Sequence, residues 1–508
     1  MLIRGDFVHF NKLDSMEIFH DHLLGKTPTN SSGFIYYFFS ARTYQSQSLL
    51  DSAHEPVITV PQGSFFLPTF CDLHLHAPQF LYQGTGLHLP LMKWLDDYAF
   101  KAEERIDSEP ELAQTVYQRL AQRLVQNGTG AVLLFGTIKE ETKCGWSIIL
   151  AKVMQQAGLR AFVGKLSMDI STRPTYTEHT SYQAIIAASS FIDRMTALTA
   201  DLPPHMRLVE PVLTPRFVPT CSDALLQGLG ELAARTGVRI QSHLAEAREQ
   251  VDFVHTQRGA EDIDVFDRAH LLGSRTIQAH CTFLSPTQLA HLSAHGTALA
   301  HCPLSNAYFS AQPLRLREAL RRGVRVGLGS DVAGGYSADL MDSMRWAVGV
   351  SRMREGARTE STRTCGGNAD DDMETPAGGD GGRKGVEVAV DEEVKIDWRE
   401  AMYLATRGGA EALGLDCGMF AVGAPFDAQC STCLVFFRVW TLRYVLIIVR
   451  AVKLFDPLSG RGVGALDFFD IETGGSRELS GEMVEKWWSL GDTRNRVGTW
   501  VQGRKVGP

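Results

Sequence analysis

Long basic runs are missing from this sequence of 508 residues, and its formal net charge is −8. A nucleic acid or an anionic membrane surface is therefore not an expected partner. A continuous apolar stretch is missing at the start, where Arg4, Asp6 and His9 interrupt the first ten residues, so no secretory signal is expected. Cysteines spaced as a disulfide framework are missing as well. The nine present are scattered over positions 71, 144, 221, 281, 302, 365, 417, 430 and 433, which reads as the reduced thiols of a cytoplasmic protein. Three motifs lack their second halves. Gly327-x-Gly329 has no third glycine at the dinucleotide spacing, and Cys430-Ser431-Thr432-Cys433 has no accompanying Cys/His pair. The Pro-Cys-x-x-Cys signature of one zinc deaminase class is absent, since Pro303 follows Cys302. What remains is an enzyme-sized chain that is 44% hydrophobic, enough for a large core, and carries sixteen histidines.

Residues 1–66 read as short β-rich pieces: Phe7–Phe10, Gly33–Phe39 and Pro56–Val60. From Phe65 onward, short apolar runs end in polar or ionisable residues, and stretches of helical periodicity follow. Eight such runs occur, namely Phe65–His76, Gly130–Thr137, Ala161–Asp169, Arg207–Phe217, Val238–His243, Thr276–His280, Thr297–Cys302 and Val324–Asp331. Helices are expected between them at Glu109–Gln126, Ser181–Thr199, Ser222–Arg235 and Pro286–His295. Eight alternations predict an α/β protein, a (β/α)8 TIM-type barrel over 67–425 with its chemistry at the strands' C-terminal ends. The flanking segments 1–66 and 426–508 are expected to form a small β-sandwich-like domain. Two stretches break the pattern. Residues 354–393 are rich in Gly, Asp and Asn and read as a flexible insertion. The apolar run within 430–460 has about the length of a membrane span, but Arg438, Arg443 and Arg450 interrupt it. Each arginine near a span's centre costs about 2.5–3.5 kcal/mol, so a membrane partner is not expected.

His74 and His76, two apart on a strand, point to one face and can reach one metal ion. His243, His280 and Asp331 also fall where runs end, the place on a barrel where ligands converge. Glu246 follows His243 by three residues. Alone it would read as a solvated carboxylate at a helix start. Arg216 offers planar paired donors, Gln79 an amide and Phe217 a ring, a set suited to the edge and face of a heterocycle. Ser305 and Asn306 lie near the end of the seventh run, either as a turn or as support for the neighbours of Asp331.

This constellation resembles the amidohydrolase superfamily. The resemblance rests on Asp72-Leu73-His74-Leu75-His76-Ala77-Pro78-Gln79, Thr214-Pro215-Arg216-Phe217, Gln241 through Glu246, Gln278 through Cys281, His301 through Asn306 and Gly327 through Ser337. Thr-Pro-Arg-Phe and Asp331-Val332-Ala333-Gly334-Gly335-Tyr336-Ser337 narrow it to the guanine deaminases, and Leu490 through Asn495 resembles their C-terminal end. The resemblance implies one zinc per chain, held by His74, His76, His243 and Asp331. The fourth run carries no lysine that could bridge a second metal. The same ligands also accept iron. It further implies catalysis by Glu246, His280 and Asp331, with Glu246 as the acid and His280 orienting the attacking water. Guanine would contact Gln79, Arg216, Phe217, His243, Glu246, His280 and Asp331, and a homodimer is expected. Pro78, Leu304 and Ser330 depart from the family's usual words, without removing a ligand. A deaminase or chlorohydrolase for a triazine or pyrimidine, and a non-catalytic barrel scaffold, remain the alternative readings.

Overall fold

The computed structural model describes residues 1–28, 32–54, 56–60, 64–139, 146–366, 393–432, 454–455, 462–463 and 478–507. Its centre is a sheet of eight parallel strands laid out in chain order: β1 (Phe70–His76), β2 (Thr129–Phe135), β3 (Arg160–Ser167), β4 (Val209–Pro215), β5 (Arg239–Leu244), β6 (Thr276–His280), β7 (Ala298–His301) and β8 (Val326–Leu328). These are the residues whose apolar runs end in polar groups. The β1–β8 seam is drawn together at the C-terminal ends. There the Asp331 N–H donates to the His74 carbonyl at 2.8 Å, and the His76 N–H donates to the Val332 carbonyl at 3.0 Å. The eighth run is mostly loop, because strand pairing stops at Leu328 and Asp331 takes a left-handed φ of 48°.

The crossover helices follow from periodicity and capping. Helix Pro110–Gln126 starts with proline at its first turn, where no N–H is needed, and buries Ala113, Val116, Tyr117, Leu120 and Leu124 on one stripe. Each large apolar side chain there contributes about 1.5–3 kcal/mol. Ser222 caps helix Asp223–Thr236, and Gly237 ends it in the left-handed region at φ 66°. Helix Pro286–His295 opens with a Ser285/Gln288 capping box and ends at Gly296.

The run Phe65–His76 divides at Thr69. Its first part, strand Ser64–Pro68, belongs to a second sheet built from both ends of the chain. That strand pairs parallel with Leu2–Lys12 and antiparallel with Ala428–Thr432, which in turn pairs with Arg496–Val501. Phe7 stacks on Phe66 at 5.1 Å, and Trp500 meets Phe66 edge-on at 5.5 Å. Two arginines tie this sheet to the barrel: Arg160 of β3 pairs with Asp427 at 2.7 Å, and the buried Arg496 donates to the Gln126 carbonyl at 3.1 Å.

Helix Leu340–Gly366 runs into the first residues of the Gly- and Asp-rich segment, and 367–392 lie outside the described residues. So does most of the apolar run at 430–460. No helix among the described residues is long and apolar enough to cross a membrane. The cysteines at 71, 221, 281, 302, 417 and 430 are buried free thiols.

Candidate active site

The strand ends bring His74, His76, His243, His280 and Asp331 together beneath a cavity of about 350 Å³ at the barrel mouth. Three of the strand-end residues, His280, Asp331 and Ala245, hold left-handed φ values of 69°, 48° and 46°. Such backbone is costly away from glycine and is retained where packing holds it. Here Asp72 supplies a clamp. Its buried carboxylate accepts from the His74 N–H at 3.2 Å, the Ser330 N–H at 3.0 Å and the Ser330 hydroxyl at 2.5 Å. One side chain thus fixes both the strand bearing His74 and the residue preceding Asp331. Burial raises the Asp72 carboxyl to about 7.

The fit to a metal ion is decided by the nitrogens left over. A carbonyl can only accept, so His243 must donate its Nδ1–H to the Arg216 carbonyl at 2.6 Å, which leaves Nε2 as a lone pair. That lone pair faces His76 Nε2 at 2.9 Å. His74 Nε2 and His280 Nε2 are buried and have no hydrogen-bond partner among the described residues. Burial, the largest cause, and the neighbouring imidazoles hold His74, His76 and His243 well below the usual histidine range, so all three are neutral at pH 7. Asp331 Oδ1 stands 3.2 Å from His74 Nε2 and 3.6 Å from His76 Nε2. Tetrahedral zinc with bonds of about 2.0–2.1 Å separates its ligand atoms by about 3.3 Å. Buried lone pairs converging on a carboxylate at that spacing suit a divalent cation, and nitrogen and carboxylate donors suit zinc or iron.

His280 is oriented separately. Its Nδ1–H donates to Asn306 Oδ1 at 2.9 Å, so Nε2 points at Glu246 Oε1, 3.7 Å away, and Asp331 Oδ2, 3.9 Å away. Asn306 is therefore support for the site. Ser305 and Glu246 line the cavity. Burial, then the charge of Asp331, holds the Glu246 carboxyl well above the usual carboxylate range.

Across the cavity, Arg216 and Gln79 converge on a residue the sequence did not single out. Glu103, fully buried, accepts from Arg216 Nη1 at 2.5 Å, Arg216 Nη2 at 3.0 Å and Gln79 Nε2 at 2.9 Å. Gln79 Oε1 in turn accepts from the Ala333 N–H at 3.2 Å. The guanidinium lies 4.9 Å from the centre of the Phe100 ring. Two of its five N–H groups serve Glu103, and the guanidinium still lines the cavity. Phe217 forms part of the wall with Leu91, Trp94 and Phe309, none of which the sequence marked except Phe217. Glu103 lies in helix Phe100–Ser108 among Lys101, Glu104 and Arg105, which reads as a solvated face. Its one signal is spacing: Phe100, Glu103 and Asp107 recur at three and four residues, and all three are buried.

Comparison with known proteins shows the family to which the fold belongs. The profile of the amidohydrolase family matches residues 65–432. A guanine deaminase of Mus musculus is 33% identical over 516 aligned residues, covering 100% of this chain and 97% of its own. Among solved structures, a guanine deaminase from C. acetobutylicum with bound guanine superposes with a TM-score of 0.77 at 24% identity, covering 99% of both chains. The zinc-bound atrazine chlorohydrolase of Arthrobacter aurescens TC1 superposes at 0.73 with 15% identity, covering 100% of this chain and 95% of its own. These two likenesses carry the fold alone.

Proposed function

This chain belongs to the amidohydrolase family, and on that premise we infer that it is a guanine deaminase: guanine and water become xanthine and ammonia. The observation that carries the reading is one cavity joining a metal-type His/Asp cluster, the buried Glu246 carboxyl and a paired Arg/Gln edge.

His74, His76, His243 and Asp331 would hold one zinc per chain. When bound, zinc lowers the pKa of water to about 7 and supplies hydroxide at neutral pH. The remaining chemistry falls to the chain's own groups. Arg216 and Gln79 orient the base through its carbonyl and ring-nitrogen edge, and Phe217 covers its face. Glu246 gives its proton to the ring nitrogen beside the carbon that bears the amine, which makes that carbon electrophilic. Asp331 takes the proton that the attacking water loses, while His280, held by Asn306, orients the water. Glu246 then assists the return of a proton to nitrogen as ammonia departs. Enclosure by Trp94, Phe217 and Phe309 strengthens each of these electrostatic contacts.

The division into 1–66, 67–425 and 426–508, a place in purine breakdown, a cytoplasmic location and a homodimer belong to the same reading. Light scattering on the purified chain tests the dimer.

Ammonia release from zinc-loaded protein offered guanine, adenine, cytosine and a triazine tests the function. Turnover of guanine alone, lost in Glu246→Gln, is expected. Turnover of another ring in place of guanine would retain the metal chemistry and discard the purine edge. Silence on all four from folded, metal-loaded protein would overturn the assignment.

A further inference from the structure

A second group of metal-type donors lies away from the cavity, on the two helices that flank β6. Helix Asp262–Arg268 precedes that strand and helix Pro286–His295 follows it. His291 and His295, four apart on the second helix, stand one above the other with ring centres 4.5 Å apart. Asp267, at the end of the first helix, faces both. Its Oδ2 is 3.2 Å from His291 Nε2, and its Oδ1 is 3.5 Å from His295 Nε2.

We propose that Asp267, His291 and His295 form a second transition-metal site, on the outer surface of the barrel. Two details favour a cation over a plain ion pair. The 3.5 Å separation is long for a hydrogen bond, and both imidazole-to-carboxylate distances lie close to the roughly 3.3 Å between ligand atoms of a tetrahedral zinc. All three ligand atoms lie within 4.8 Å of one another. The side chains of His291, His295 and Asp267 retain 42%, 36% and 40% exposure, which leaves room for water as the remaining ligand. Two imidazoles and a single carboxylate select zinc, copper(II) or nickel over magnesium or calcium. An ion held there clips the helix before β6 to the helix after it. Binding to the folded chain alone raises stability with metal concentration. The site does not depend on which heterocycle occupies the cavity.

Isothermal titration of the holoenzyme, its catalytic metal in place and its buffer metal-free, with Zn2+ and separately with Co2+ tests this. One further equivalent per chain is expected, with a rise in melting temperature and, for Co2+, visible d–d absorption. His291→Gln and Asp267→Asn, both at partly exposed positions, each weaken this second binding at least about tenfold. Both leave the melting temperature without added metal, and guanine turnover, as in the parent. Absence of a second equivalent, or one that persists undiminished in both variants, would overturn the proposal.

Discussion

Replacing Glu103 tests whether the substrate edge is built by Arg216 itself or by the carboxylate that holds it. In Glu103→Gln the amide keeps one oxygen acceptor but turns an NH2 toward a guanidinium that is 2% exposed. Removing one partner of a buried pair costs about 3–5 kcal/mol, because the remaining charge is uncompensated. Part of that cost appears as lost stability, a fall of several degrees in melting temperature. The rest appears at the substrate. A misaimed guanidinium forfeits a charged hydrogen bond worth about 1.5–3 kcal/mol, which is roughly 10- to 150-fold in kcat/KM. Because the contact orients the base and does not enter the bond-breaking step, the loss should fall mainly on KM, with zinc content unchanged. A second variant separates stability from recognition. Glu103→Leu combined with Arg216→Met swaps the pair for apolar groups of similar size, which is often neutral or stabilising. It should melt near the parent and still bind guanine poorly. The reasoning is refuted if Glu103→Gln retains both a KM within twofold of the parent and its melting temperature.

Other consequences are more direct. Glu246→Gln should lower kcat by about 10²–10⁴-fold with metal content intact, measured by atomic absorption beside ammonia release. Chelation should abolish turnover and lower the melting temperature, and zinc should restore both; activity that survives complete removal would rule out the His/Asp cluster as the metal centre. Asn306→Leu deprives His280 Nδ1–H of its acceptor. It should reduce kcat about 10- to 100-fold with little change in KM, while Asn306→Asp, which keeps an acceptor, retains more activity. Ser330→Ala leaves one bond of the buried Asp72 carboxylate unmade. It should destabilise the chain by about 1–3 kcal/mol in urea denaturation.

The barrel was legible because its chemistry coincides with its strand ends. His76, His243 and His280 each end an apolar run or follow from its two-residue alternation, and the structure keeps those positions. Asp331 was found by sequence order although it sits in a loop past Leu328. Ser330, a departure from the family's words, proves able to hold Asp72, because a serine hydroxyl donates as well as a threonine's. The boundary inside Phe65–His76 was hidden because Phe65–Leu67 and Cys71–Leu73 are equally buried in two different sheets, and hydrophobicity does not say which. Glu103 was hidden for the opposite reason. A charge in a charged helix signals solvent, and only contact with Arg216, far off in the chain, makes it interior.

The strand Ser64–Pro68 finds one neighbour in Leu2–Lys12, made just before it, and the other in Ala428–Thr432. During synthesis at about 5–20 residues per second, its second edge therefore stays unpaired for some tens of seconds while the whole barrel emerges. An uncovered edge invites pairing with another chain. Crowding of nascent chains is thus one point at which this architecture is exposed to failure, and slower growth or a holding chaperone should raise its soluble yield.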